Sequence, residues 1–139
     1  MMKSIPVWKQ ELSDGVHAAR LASLYCCSPA ETASKAARYA AVLDGLEKAF
    51  GSHAEAGLYS APGRTEIGGN HTDHQHGRVL AGSVNIDMIA AAAPNDKNQL
   101  RVQSEGYDLC IIDLNDLEAR KEEENTTAAL LRGECAAFT

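Results

Sequence analysis

The sequence predicts an α+β fold. Helical patterns occupy residues 1–56 of the 139-residue chain, whereas short strand patterns and then one more helix occupy residues 57–139. This length suffices for one hydrophobic core, so we expect 1–139 to form a single domain. Because only 5% of the residues are aromatic, we expect a core of Ala, Leu, Val and Ile.

Two helices are predicted in the first part of the chain, and we expect both to be supporting layers of the fold. The first shows apolar residues at helical spacing and ends near Tyr25. The second covers residues 30–50. A capping box of Ser28 and Glu31 precedes it, and Gly51 is its expected C-terminal cap.

A short strand over residues 58–61 is expected to end at Pro62, so that Arg64 follows in a glycine-rich loop. Residues 78–87 form a mixed segment that fits a short helix or a strand. The next expected strands are residues 88–93, 100–104 and 109–114, in an antiparallel or mixed sheet with a turn at 94–98.

Composition excludes several classes of function. The net charge is −6 without a cluster of Lys and Arg, which disfavours a nucleic-acid partner. The apolar runs are far shorter than the roughly 20 residues of a membrane-spanning helix, and no signal-peptide pattern is visible. The four cysteines lack CxxC spacing, which disfavours a zinc site or a disulfide framework. We therefore expect a cytoplasmic protein.

The segment 60–87 concentrates polar chemistry between glycines. It brings Arg64, Asn70, His71 and Asp73 within a few residues of one another. Together these side chains offer hydrogen-bond donors and acceptors, as recognition of a polyhydroxyl ligand requires. The residues by themselves predict a loop that binds a small polar ligand, with Arg64 able to stabilise charge on a transferring group.

Other readings of this loop stay open at this point. His71, Asp73, His74 and His76 could ligate a metal, although their spacing in an irregular loop does not direct them to one side. The histidines could equally be solvated surface residues, or one could act as a general base. We expect no metal.

The run Ala61-Pro62-Gly63-Arg64-Thr65-Glu66-Ile67-Gly68-Gly69-Asn70-His71-Thr72-Asp73-His74, followed by Gly77, Leu80 and Asp87, closely resembles the sugar-recognition signature of galactokinases. These enzymes belong to the GHMP kinase superfamily. The resemblance implies that Arg64 stabilises the transition state and that the sugar ligands are Asn70, His71, Thr72 and Asp73. Two positions depart from the family: Asn70 replaces its usual Glu, and His74 replaces its usual Tyr.

The resemblance also implies a fold and further roles. Residues 1–139 resemble an incomplete GHMP kinase N-terminal domain, of the ribosomal protein S5 domain 2-like type, with a helical lead over 1–56 and a sheet plus C-terminal helix over 57–139. Within it, residues 88–104 would form a hairpin and residues 123–138 a helix, which Gly133 weakens. Ser104 would lie near the nucleotide.

The implied activity is ATP-dependent phosphorylation of galactose at its anomeric hydroxyl. ATP and Mg²⁺ are the cofactors of the full-length family. We expect this chain to bind neither and to be inactive by itself, because it lacks the family's phosphate loop and catalytic aspartate. The alternatives are a non-catalytic sugar-binding module, a structural remnant or a metal-binding protein.

The expected ligand is galactose or a related hexose. We also expect a homo-oligomer, because an incomplete domain would expose apolar surface and strand edges that normally pack against the missing part.

Overall fold

A computed structural model describes residues 1–69 and 76–138. The chain divides into two compact units, Met1–Ala93 and the part from Pro94 onward. Each unit has its own antiparallel sheet, so the predicted α+β class is confirmed. The expectation of a single domain over 1–139 stays a prediction, since two compact units can belong to one domain.

The first unit places helices against a three-stranded sheet. The elements are β1 (Met2–Lys3), α1 (Ile5–Ser13), α2 (Ala18–Tyr25), α3 (Thr32–Phe50), β2 (Ala56–Gly68) and β3 (Leu80–Ala92). The strand order is β1-β2-β3 and both pairings are antiparallel. Helices α1 and α2 pack against α3, and α3 packs against β3.

The predicted first helix is two helices, α1 and α2. Its predicted end near Tyr25 is correct. The break lies at Gly15, whose φ of 73° is in the left-handed region that glycine adopts without steric cost. The Asp14 N–H donates to the carbonyl of Gln10 at 2.8 Å, which closes α1 before the chain turns.

The predicted capping box is confirmed. The backbone N–H and the hydroxyl of Ser28 both donate to Glu31 Oε2, at 2.9 and 2.7 Å. These bonds lower the pKa of Glu31. A 3₁₀ turn, Pro29–Glu31, leads into α3, and the predicted cap Gly51 closes that helix by donating to the Glu47 carbonyl at 2.9 Å.

The core of the first unit contains more aromatic residues than expected. Trp8, Tyr25 and Tyr39 are all buried, so the expectation of a core without them is wrong. Each polar atom finds a partner, which makes burial of these rings favourable. Trp8 Nε1 donates to the Ala56 carbonyl at 2.7 Å, and the hydroxyls of Tyr25 and Tyr39 are 2.9 Å apart.

The β2–β3 hairpin includes residues 62–68, where a glycine-rich loop was predicted. The prediction that the strand ends at Pro62 is wrong: β2 continues to Gly68, and Arg64 lies within it. The mixed segment 78–87 contributes to one continuous strand, β3. The ladder shifts register after Pro62, so that residues 84–86 lie opposite Gly63 alone. Such an irregularity accommodates a proline, which has no N–H to donate.

The second unit contains a two-stranded sheet of β4 (Gln99–Val102) and β5 (Cys110–Asp113). The predicted strands and the turn before them are confirmed. The predicted 88–104 hairpin is wrong, because β3 pairs with β2 and β4 pairs with β5. The Tyr107 N–H donates to the Ser104 carbonyl at 3.2 Å, in the turn that returns the chain along β4.

The last helix, α4 (Thr127–Ala137), begins later than predicted. Thr126 caps its start, because the Thr126 hydroxyl accepts a hydrogen bond from the Ala129 N–H at 3.3 Å. Arg132 of this helix is buried and binds the segment before it. It donates to both carboxylate oxygens of Glu123, at 2.8 and 2.7 Å, and to the Asp116 carbonyl at 2.6 Å. No helix in the described part of the chain is both long and apolar enough to cross a bilayer.

Candidate functional site

Arg64 occupies the exposed part of β2. Its backbone pairs with Ser83 of β3, and its side chain is 71% exposed. Arg64 Nη2 lies 3.3 Å from Glu66 Oε1, two residues along the same strand. An exposed pair at this distance holds the guanidinium weakly, which leaves it available to an anionic group.

The predicted sugar ligands Asn70, His71, Thr72 and Asp73, together with His74, lie outside the described residues. The structure describes the two flanks of that segment. Gly69 has a φ of 84°, and a Cβ built on it would lie 2.2 Å from the Arg78 carbonyl oxygen. The two flanks therefore approach each other at a point where only glycine fits.

A buried carboxylate, Asp87, lies on β3, the strand that pairs with the Arg64 strand β2. Its side chain is 3% exposed and accepts hydrogen bonds from three different elements. Tyr25 of α2 and Ser60 of β2 donate to Oδ2, at 2.5 and 2.6 Å. Arg38 Nη1 of α3 donates to Oδ1 at 2.9 Å. We call these four residues the Asp87 cluster.

The hydrogen-bond donors of the Asp87 cluster stabilise the ionised form of the carboxylate. Burial opposes ionisation of Asp87, but the hydrogen bonds from Ser60, Tyr25 and Arg38 outweigh it and lower the pKa of the carboxyl below its ordinary 3.8. Burial, followed by the bond to Asp87, raises the pKa of Tyr25. Asp87 is consequently an anion and Tyr25 a protonated donor at neutral pH.

The sequence interpretation missed the role of Asp87, which it treated as the last matching position of a motif. No spacing rule links Asp87 to Tyr25, because 62 residues separate them. One signal was available. Asp87 shares its side of β3 with Ile89 and Ala91, both of which pack against the core. A carboxylate on the same side of the strand as these core residues must find buried hydrogen-bond partners.

Residues 46–94 match the family model described as the galactokinase galactose-binding signature. The chain is similar to galactokinases over their galactose-binding signature. In the structure, the signature begins in α3 and extends through β2 and β3, so it contains both Arg64 and Asp87. The predicted resemblance is confirmed.

Curated galactokinases show the same relationship. The chain is 36% identical over 83 residues to galactokinase from Ligilactobacillus salivarius, which covers 58% of this chain and 21% of that enzyme. Galactokinase from Streptococcus suis is 32% identical over 83 residues, with the same coverage. Galactokinase from Lactobacillus helveticus is 27% identical over 78 residues, covering 55% of this chain and 20% of the enzyme.

The chain thus spans about a fifth of the length of the galactokinases it matches. No solved structure matches the chain.

The nucleotide-binding role of Ser104 stays a prediction. Ser104 lies in the second unit, in the turn between β4 and β5, where its carbonyl accepts from Gln103 Nε2 at 3.1 Å. Among residues 1–69 and 76–138, no three His, Cys, Asp or Glu side chains converge as a candidate metal site. The expectation that this chain binds neither ATP nor Mg²⁺ stays a prediction.

Proposed function

We propose that this chain is the galactose-binding part of a cytoplasmic galactokinase of the GHMP kinase superfamily. The reaction it serves is transfer of the γ-phosphate of ATP to the anomeric hydroxyl of galactose. The observation that carries the proposal is the galactose-binding signature at residues 46–94. The similarity to curated galactokinases over 48% to 58% of the chain supports it.

The proposal assigns each polar residue a role. Asn70, His71, Thr72 and Asp73 bind sugar hydroxyls, since amide, imidazole and carboxylate groups together donate and accept hydrogen bonds. Arg64 stabilises the charge that develops during phosphoryl transfer. Its exposure and its weak contact with Glu66 support this role, because a guanidinium engaged in a tight internal pair would be less available.

The 139 residues by themselves bind galactose but do not transfer phosphate under this proposal. Phosphoryl transfer depends on groups that position ATP, its metal ion and the attacking hydroxyl. The remainder of a galactokinase supplies those groups, in keeping with the fifth of the relatives' length that this chain spans. ATP and Mg²⁺ therefore bind outside this chain.

Isothermal titration calorimetry of the purified chain tests the proposal. Titration with galactose is expected to give a saturable isotherm and a measurable dissociation constant. Glucose is expected to bind at least about tenfold more weakly. Asp73→Asn is expected to weaken galactose binding, because an amide loses the charge that strengthens bonds to hydroxyls. Asp96→Asn, at an exposed turn of the second unit, is the matched control.

Galactose binding and turnover by the wild-type chain together decide the proposal. Absence of galactose binding by the wild-type chain would overturn the proposal and leave a structural remnant. A coupled assay with galactose and ATP complements the titration. Turnover by the chain alone would contradict the assignment of phosphate transfer to other parts of a full-length galactokinase, whereas binding without turnover supports it.

A further inference from the structure

We propose that Asp87 is the positioning residue of the β2–β3 hairpin, which lies within the galactose-binding signature. Its carboxylate sets the backbone register of this hairpin, which contains Arg64 and precedes and follows the proposed sugar ligands at residues 70–73. The consequence for ligand binding rests on the proposed galactose-binding function. The effect on the hairpin itself does not, and it is measured separately below.

Asp87 lies at the point where the β2–β3 ladder changes register. Asp87 pairs with Pro62, which is the last regular pair before the register shift. The next pair beyond the shift is Arg64 with Ser83. Whatever holds Asp87 in place therefore holds the point at which the ladder changes register, two residues before Arg64.

Three elements besides its own strand meet at the side chain of Asp87. Tyr25 comes from α2, Arg38 from α3 and Ser60 from β2, and all three donate to Asp87 of β3. A carboxylate accepts hydrogen bonds in defined directions, whereas an apolar side chain would pack in several orientations. The Asp87 cluster thus fixes one arrangement of hairpin and helices.

The energetics of burial favour the same role for Asp87. Burial of a carboxylate is costly, and apolar residues of similar volume would often stabilise a core as well or better. A buried, fully bonded charge at this position is better explained by specificity of arrangement than by stability alone. Because Asp87 is 3% exposed and bonded to protein groups, it acts through the strand and is not a catalytic residue.

The test compares variants of the full 139-residue chain. Asp87→Asn keeps the shape and removes the charge, while Tyr25→Phe and Ser60→Ala each remove one donor. Glu123→Gln is the matched control, because it weakens a comparable carboxylate-arginine contact in the second unit. Two quantities are measured in the folded state: the amide NMR signals of residues 64–68 and the galactose dissociation constant.

The expected result is selective. Asp87→Asn shifts the amide signals of residues 64–68 and weakens galactose binding roughly tenfold or more, because small displacements of positioned groups have large effects. Tyr25→Phe and Ser60→Ala produce smaller changes in the same direction. Glu123→Gln leaves both quantities unchanged even if it lowers stability.

Unchanged amide signals of residues 64–68 in folded Asp87→Asn would overturn the proposal. If that variant does not fold, Tyr25→Phe and Ser60→Ala decide by the same criterion. If the wild-type chain binds no galactose, the proposed function fails, and the NMR comparison alone still decides whether Asp87 positions the hairpin.

Discussion

The Tyr25 hydroxyl donates a hydrogen bond of 2.5 Å to Asp87 Oδ2 and thereby joins α2 to β3. Burial raises the pKa of Tyr25, so the hydroxyl keeps its proton. The pKa of Asp87 is lowered, because hydrogen bonds outweigh the effect of burial. The pair therefore keeps its donor and acceptor throughout the neutral range, and acid that protonates Asp87 disrupts it.

Acid is expected to destabilise the first unit through Asp87. Because the folded-state pKa of Asp87 is lower than in the unfolded chain, its ionisation stabilises the fold above pH 3.8, and this contribution is lost as the pH falls through the folded-state value. Urea unfolding followed by fluorescence of Trp8, the one tryptophan, measures the free energy of unfolding at each pH.

Asp87→Asn provides the comparison for this titration. At neutral pH we expect it to lower the free energy of unfolding by about 2 kcal/mol, since a charge-assisted contact with Arg38 is lost. The difference between wild type and variant should shrink below pH 3.8. A difference that stays constant down to pH 2 would contradict a role for the ionised carboxylate.

Two arginines near the hairpin are expected to differ in their effect on stability. Arg64→Ala should change the free energy of unfolding by less than about 0.5 kcal/mol, because its pair with Glu66 is exposed. Arg38→Ala should cost about 1–2 kcal/mol, because it leaves the buried carboxylate of Asp87 without its cation. The same urea titration checks both, and equal losses would refute the distinction.

Gly69 and Gly68 form a matched pair at the end of β2. We expect Gly69→Ala to cost at least about 2 kcal/mol, because a Cβ there meets the Arg78 carbonyl and the backbone is left-handed. Gly68→Ala should stay within about 0.5 kcal/mol, as its Cβ meets nothing within 4 Å. Thermal unfolding measures the difference, and similar melting temperatures would argue against a close approach of the flanks.

Self-association is the expected consequence of the exposed apolar residues on the β2–β3 hairpin. Met88 is 79% exposed, and Tyr59 and Ile86 are also exposed. Light scattering at micromolar concentration should show a dimer or larger species, and Met88→Lys should reduce it. Leu24→Lys is the control, because Leu24 is 52% exposed and belongs to α2, not to the hairpin. A monomeric wild-type chain would contradict the prediction.

Local signals explain where sequence-based prediction succeeded. Ser28 and Glu31 are three residues apart, so their capping box depends on neighbours along the chain and could be predicted. The pairing partners of strands could not. The register shift after Pro62 depends on residues of β3 that are distant in the chain. The pairing of β4 with β5 could not be predicted, because several strands have similar apolar patterns and none of these patterns specifies a partner.

The sequence by itself determined the α+β class, the helix ends at Tyr25 and Phe50, and the similarity to the galactokinase galactose-binding signature, because each of these depends on residues close together in the chain. Only the tertiary structure placed Arg64 within a strand and joined Tyr25, Arg38 and Ser60 at Asp87. The physical reason is that a buried carboxylate bonds to the donors that tertiary packing brings within reach. The spacing of residues along the chain does not predict which donors these are.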